Sequence, residues 1–346
     1  MTATFLSRRG LLAGAAAGLG LAACSPTAPG PSASPSQSPT AGPSPSATLG
    51  SGPIVFGMTY IPNVQFSPLY VARDHGIFAD LGLDVQLRHH GQQEDAFGAL
   101  VSGQEQVVLA SSDEAVVAAA NGASVATFAT CYQRFPAEVM TALPLPGDPL
   151  QVLRGARLGI PGHYGSSYYA ALCALHQAGL SEDEAGLTDV GYTQVAALST
   201  GKVESIVGYL NNELVQFRAL GMEVSSVPVT DPAAPSLVGP GLIAAPGILA
   251  EEQLRGLREA VLEAEKLIAA DPEVGLVATE KEVPTLSEPD QRAAAEAVLV
   301  ETIGLWKGER GEVHLDVDEA AFARMGQLLT EVGIIDAAPG EPLLLI

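Results

Sequence analysis

The chain has 346 residues, 17 Lys and Arg against 39 Asp and Glu, a formal net charge of −22 and 3 Cys. At ~150 residues per domain this is enough for about two domains, each with its own core. The acid excess argues against a phosphate-backbone binder, which needs clustered Lys and Arg, and so few cysteines cannot build a disulfide scaffold or a Cys-rich zinc module.

Residues 1–23 read as a targeting segment: Ser7-Arg8-Arg9, then a Gly/Leu/Ala run to Ala23. Positive charge, a short apolar stretch and small residues come in the order a translocase reads. The paired arginines resemble a twin-arginine signal, although Leu11 stands where Phe is usual. The apolar run is shorter than the ~18–20 residues of a spanning helix. Leu21-Ala22-Ala23-Cys24 resembles a bacterial lipobox, with Cys24 as the acylated residue. Two or three acyl chains, at ~0.8 kcal/mol per buried CH₂, would make a stable anchor. Residues 25–52 hold seven Pro, eight Ser and no charge. Such a composition cannot offset its ordering entropy, so 24–52 is expected to be a disordered lipidated tether.

From Pro53 the pattern turns to alternating strands and helices. Ile54–Met58 is an apolar strand, Phe66–Leu81 has helical spacing and stops at Gly82, and 84–88 alternates as a strand. A helix over Glu94–Val101, a strand over 106–110, a helix over Asp113–Ala120 and a strand over Val125–Cys131 follow. Pro136–Pro149 breaks the rhythm and reads as a crossing region. A second set has strands at Arg157–Ile160, Leu187–Gly191, Ser205–Tyr209 and Val224–Val229. Its helices lie at Ser166–Ala178, Gln194–Ser199 and Asn212–Leu220. After Asp231-Pro232 the chain is expected to be helical over 251–270, 289–305 and 317–332. Strands alternating with helices argue for parallel sheets with crossover helices. The expected lobes are 53–135 with 235–346, and 136–234.

In open α/β sheets ligands sit beyond the carboxyl ends of the strands. The residues there include Tyr60, Asn63, Gln65 and Phe66 after the first strand, and His90 after the second. Ser112, Asp113 and Glu114 follow the third strand, and Tyr132 and Arg134 the fourth. In the second set they are Tyr164 and Ser166, then Thr193, then Tyr209, Asn211, Asn212 and Glu213. These are the candidate ligand-binding residues. Asp113 is suited both to capping its helix and to a ligand contact. Gly162 and Gly165 flank a turn entering a helix, where backbone N–H groups can hold a polar or anionic atom. Trp306 lies in an amphipathic helix and is expected in the core. Aromatic rings, amides and carboxylates dominate this inventory. Arg134 is its one permanently charged base. Anion binders want Arg or convergent N–H donors, so the composition leans to a neutral or cationic heteroaromatic, stacked on tyrosine.

The run Tyr60-Ile61-Pro62-Asn63-Val64-Gln65-Phe66-Ser67-Pro68-Leu69-Tyr70-Val71-Ala72, followed by Gly76-Ile77-Phe78 and Gly82-Leu83-Asp84-Val85, resembles the solute-binding proteins of ABC importers. The closest branch is that of thiamine-pyrimidine-precursor, riboflavin and alkanesulfonate binders. Leu100–Gly103, Leu158–Gly162 and Gly201–Glu204 carry the likeness onward, over roughly residues 53–335. The resemblance implies a periplasmic-binding-protein-like fold of type II: two lobes, each a mixed sheet flanked by helices, closing on a small molecule by a hinge. It implies delivery to a membrane permease from the extracytoplasmic face. A pyrimidine precursor of thiamine leads as ligand, with riboflavin or a sulfonate- or nitrate-type solute as alternatives. No cofactor, metal or nucleic acid is expected, and a monomer is.

The main rival is an enzyme, since pyrimidine synthases resemble this branch. Those carry a Cys-rich iron motif that this chain lacks. Cys131 and Cys173 fall in an expected strand and helix, as small buried hydrophobes. Adjacent His89 and His90 point to opposite sides of a strand and cannot chelate one ion together. There is no Walker loop either, so the chain is not the transporter's ATPase.

Overall fold

The structure is a computed structural model that describes residues 52–91 and 94–346. The expected targeting segment, Cys24 and nearly all of the tether lie outside the described residues.

The strands are β1 (Ile54–Met58), β2 (Val85–His89), β3 (Val107–Ser111), β4 (Ala126–Thr130), β5 (Ala137–Thr141), β6 (Leu158–Ile160), β7 (Thr188–Asp189), β8 (Ser205–Tyr209), β9 (Ser225–Pro228) and β10 (Pro240–Ala244). The first helices are α1 (Ser67–Asp74), α2 (Ile77–Asp80), α3 (Gly98–Val101), α4 (Ser112–Ala120), α5 (Gly165–Ala178), α6 (Gln194–Ser199) and α7 (Glu213–Ala219). The later ones are α8 (Glu251–Ala270), α9 (Pro272–Glu282), α10 (Pro289–Lys307) and α11 (Glu319–Glu331).

They build two five-stranded sheets, ordered β2-β1-β3-β10-β4 and β7-β6-β8-β5-β9. Both obey one rule. Three neighbouring strands run parallel, and the fourth position is taken by an antiparallel strand: β10 against β3 and β4, β5 against β8 and β9. Each antiparallel strand is the first one made after the chain passes from one sheet to the other, at 131–136 and at 229–239.

Two strands depart from the parallel reading of the strand–helix alternation and make each sheet mixed, as the family resemblance implied. Residues 137–141, expected as part of a crossing region, are the buried strand β5. Its Glu138 looks wrong for a core strand, but the carboxylate is held by Arg134 and by the Ser226 hydroxyl at 2.5 Å. Residues 240–244 sit among prolines, yet form β10 inside the first sheet, between β3 and β4. Pro240 is tolerated because it opens the strand, where a missing N–H costs least. The 16-residue helix expected from Phe66 breaks into α1 and α2 at Gly76, whose φ of 76° is left-handed. The helix expected from Glu94 shrinks to α3, and α9 was not anticipated.

Three apolar clusters fill the layers. One joins the first sheet to α8, α9 and α10 and includes the fully buried Trp306, as expected for a core residue. A second lies between the second sheet, α5 and α11, so the final helix shares its core with the second sheet. The third packs α3 and α4 on the other face of the first sheet. Cys131 and Cys173 are both buried free thiols, and burial pushes both up. Among the described residues no helix is long and apolar enough to cross a membrane.

Candidate functional site

The carboxyl ends of β1, β3, β6 and β8 converge on one cavity of about 450 Å³ between the two sheets. From the first sheet come Thr59, Tyr60, Asn63, Gln65 and Phe66 after β1, Leu109–Ser111 at the end of β3, Glu114 on α4, and Tyr132 after β4. From the second come Pro161 and Tyr164–Ser167 after β6, Tyr192 and Gln194 after β7, and Tyr209 with Asn211–Glu213 after β8. Pro240 closes the list of contributors. Among these lining residues there is no Lys, Arg or His.

The β1 loop is braced from behind. The Asn63 side chain accepts from the Val64 N–H at 2.7 Å, turning the chain into a short 3₁₀ segment that presents Gln65 and Phe66. The His89 ring sits beneath it, with Nδ1 2.9 Å from the Tyr60 carbonyl and Nε2 2.9 Å from the Tyr70 hydroxyl. A carbonyl only accepts, so Nδ1 carries the proton and Nε2 accepts from Tyr70. Burial lowers the His89 pKa, in keeping with that neutral tautomer. The edge of Phe66 meets the same ring at 5.4 Å.

The opposite wall depends on a glycine. A Cβ at Gly162 would lie 2.5 Å from the Tyr164 ring, so only glycine lets that ring fold back over the turn. Tyr164 and Tyr192 are both exposed at the mouth, and the Tyr164 hydroxyl pushes the Tyr192 phenol up to about 12. Deeper in, burial raises Tyr132 and Tyr209.

At the base, Asn211 after β8 links the two sides. Its Nδ2 donates to Thr302 Oγ1 of α10 at 2.9 Å and lies 3.4 Å from the Tyr132 hydroxyl. Both partners are buried on the first-sheet side. Asn211→Leu is expected to destabilise the fold by ~1–3 kcal/mol, because two buried polar groups lose a partner. Urea denaturation of the variant against Thr302→Val and the double variant checks this. Additive losses would mean the two side chains are not coupled.

Of the expected site residues, Tyr60, Asn63, Gln65, Phe66, Glu114, Tyr132, Tyr164, Ser166, Tyr209, Asn211, Asn212 and Glu213 line the cavity. Besides Asn63, three of these are also engaged with one another after β8. Glu213 accepts from the Tyr209 N–H at 2.7 Å and from Asn212 at 2.9 Å, while Asn212 accepts from Gln216. Burial raises the Glu213 carboxyl.

The others fall elsewhere. His90 is buried against Glu105, with Nε2 2.9 Å from the carboxylate. Arg134 pairs with Glu138 beside a separate small hollow. Thr193 donates to the Val190 carbonyl at 2.5 Å, and its neighbours Tyr192 and Gln194 face the cavity instead. Ser112 is buried beside Gly241. Asp113 is fully buried and does not line the cavity: Oδ1 accepts from the Ser166 hydroxyl at 2.6 Å and from the Glu114 N–H in the first turn of α4 at 2.7 Å, while Oδ2 has no partner. Strand-end position identified the loops. The alternation within each loop, which would have separated Tyr192 from Thr193, needs backbone angles that sequence does not specify.

The NMT1/THI5-like family model matches residues 63–274, well over half of the chain. The chain belongs to this family. The riboflavin-binding protein RibY of Chloroflexus aurantiacus is 36% identical to this NMT1/THI5-like protein over 180 residues, 51% of either chain. The formylaminopyrimidine-binding protein of Halalkalibacterium halodurans is 25% identical over 169 residues, 49% of this chain and 51% of that one. The NMT1/THI5-like chain thus spans about half the length of the curated relatives it matches. Among solved structures, the periplasmic aliphatic sulphonate binding protein SsuA of Escherichia coli superposes with a TM-score of 0.64 at 16% identity, covering 83% of this chain and 89% of that one. The alkanesulfonate-binding protein SsuA of Xanthomonas axonopodis pv. citri, bound to MOPS, gives 0.60 at 13% identity over 85% and 98%. These likenesses establish the fold, two mixed sheets of the periplasmic-binding-protein type II, as the family resemblance implied.

Proposed function

We propose that this protein is the solute-binding component of an ABC importer and that it closes on a neutral or cationic heteroaromatic, with a flavin as the leading ligand. It binds and releases its solute without chemistry. The observation that carries the reading is the cavity wall: five tyrosines and a phenylalanine drawn from both sheets, with amides and no basic side chain. Aromatic faces stack on a ring, while Asn, Gln and carboxyl groups meet its N–H and C=O edges. A volume of about 450 Å³ sits within the ~300–1,000 Å³ of ordinary ligand pockets, and rings on opposing walls suit a fused system. The likeness to RibY supports the same choice. A formylaminopyrimidine is the second reading, favoured by the relative of that name.

The two passages between the sheets would serve as hinge strands, with 53–135 and 235–346 as one lobe and 136–234 as the other, except that α11 shares its core with the second sheet. The permease would read the closed form. Cys24 would carry the acyl anchor that keeps the protein at the extracytoplasmic face of the membrane.

Flavin fluorescence tests the ligand directly. Riboflavin titrated into the protein is expected to be quenched saturably, and saturation at 100 times Kd should add ~2.7 kcal/mol of stability. Tyr192→Ala should weaken binding about tenfold through loss of one stacking face. If neither riboflavin nor formylaminopyrimidine shifts the melting transition, the heteroaromatic reading is wrong.

A further inference from the structure

The cavity lining holds two carboxyl groups, Glu114 and Glu213. Glu213 is engaged by the Tyr209 N–H and by Asn212. Glu114 is not: among the described residues no side chain bonds to its carboxyl. Its position is nevertheless fixed. The Glu114 N–H donates to Asp113 Oδ1, and the same oxygen accepts from the Ser166 hydroxyl, so Asp113 ties the start of α4 to α5. From there the Glu114 side chain crosses towards the second sheet, and its Oε1 comes within 2.8 Å of the point that a Gly165 Cβ would occupy. No cation faces it. Its titratable neighbours are Asp113, Asp95 ahead of α3, Tyr169 on α5, Tyr192 after β7 and Tyr209 on β8. A buried carboxyl without a partner is costly, so its bonding capacity is left for what enters the cavity.

We propose that Glu114 is a specificity-determining residue whose carboxyl reads the polar edge of the bound ring, where an N–H lies beside a carbonyl or a ring nitrogen. Its protonation state selects that edge. Burial, foremost, and the neighbouring Asp113 raise the carboxyl to about 8, against the pull of the Ser166 N–H. Near neutral pH it is therefore mostly the uncharged acid. An uncharged acid sets one O–H donor beside one C=O acceptor. An imide, a lactam or an amino group next to a ring nitrogen meets that pair with two parallel hydrogen bonds. The carboxylate has acceptors only, so it still takes the N–H but repels the lone pair beside it. Binding is thus full below the carboxyl pKa and weakens as pH rises through it. The phenols around it do not titrate first: the bond to Tyr164 raises Tyr192, and burial raises Tyr169 and Tyr209. The inference rests on reading this cavity as the solute site, and it holds for a flavin and for an aminopyrimidine alike.

The test is riboflavin titration, read by flavin fluorescence, of wild type, Glu114→Gln and Glu114→Met between about pH 6 and about pH 9. Wild type is expected to lose about tenfold in affinity over that range, the factor for one pH unit beyond a pKa of about 8. Glu114→Gln keeps a donor beside an acceptor and cannot ionise, so it should rescue tight binding at the alkaline end and show no decline. Glu114→Met has neither group. It should bind about tenfold more weakly than wild type at the acid end, and should lose the wild-type preference for riboflavin over 3-methylriboflavin, whose edge N–H is blocked. Should Glu114→Met fail to fold by circular dichroism, the Glu114→Gln profile decides by itself. Wild-type binding that strengthens with pH would overturn the proposal and leave the flavin reading standing. So would a Glu114→Gln profile that declines like wild type, or a folded Glu114→Met that binds and discriminates as wild type does. If formylaminopyrimidine binds and riboflavin does not, the flavin reading fails, and the same three profiles with formylaminopyrimidine, by calorimetry, decide the role of Glu114. If neither solute binds wild type, both readings fall together.

Discussion

Gly57→Val is expected to lower the stability of the protein by ~3–5 kcal/mol, the scale of breaking a buried ion pair. Valine is a better strand former than glycine and Gly57 is central in β1, between Arg88 and Val108 of the flanking strands, so propensity alone predicts the opposite sign. The reason lies on the face of the sheet. A Cβ at position 57 would sit 2.3–2.6 Å from all three atoms of the Glu105 carboxylate. That carboxylate is fully buried, accepts from Arg88 at 2.6 Å and meets His90 at 2.9 Å. A side chain at 57 must expel it and strand three polar groups. A double-variant cycle in urea separates the two effects. With Glu105→Ala already in place, Gly57→Ala should cost far less than in wild type, and equal costs in both backgrounds would refute the steric account. The same cluster shows why His90 is not a cavity residue: it pairs with Glu105.

A second large effect concerns pH. Glu265 on α8 is buried with one oxygen unpartnered, and burial raises its carboxyl well above the ordinary value. The folded protein therefore keeps a proton that the unfolded chain gives up. Stability from such a group is full below the unfolded carboxyl pKa of about 4.3 and falls as pH rises, by ~1.4 kcal/mol per pH unit, until the folded pKa is passed. Asp113, Glu114 and Glu213 are raised in the same direction, chiefly by burial. Groups held low work the other way. Glu204 is kept at about 2 by Arg157, and the ion pairs of Asp74 hold it down against burial, so both lose their contribution only as pH falls below the carboxyl range. Stability should thus peak on the mildly acid side and decline towards pH 8. Glu265→Met, which removes the charge and fills the space, is expected to stabilise the protein by ~2–3 kcal/mol at pH 8 and to change little at pH 4.5. Urea denaturation across that range checks it. Parallel curves for the two proteins would show that Glu265 is not the titrating group.

Glu265 also stands behind the site. It lies near Cys131 and Tyr132, and adds to the burial that raises both. The acid is in the middle of an amphipathic helix, where its spacing matches the buried positions Val261, Ala264 and Ile268. That spacing is what puts it on the inner face, while the want of a partner is set by the core around it.

Local chemistry was enough for much of the molecule. Apolar runs such as Ile54–Met58, helices with regular spacing such as 251–270, and glycine stops such as Gly179 each depend on a few neighbouring residues, and they stand where periodicity puts them. The same logic brought twelve of the seventeen candidate residues to one cavity, because strands that run parallel end at the same edge. Tertiary structure alone decided the rest. β5 and β10 are strands because a central gap in each sheet pairs both their edges, which overrides a buried glutamate in one and a leading proline in the other. Whether Asp113 and Glu114 would cap α4, hold a ligand or cross to α5 depended on where a helix 50 residues away begins. Hydrogen-bond partners far apart in the chain are chosen by packing, so no reading of adjacent residues contains them.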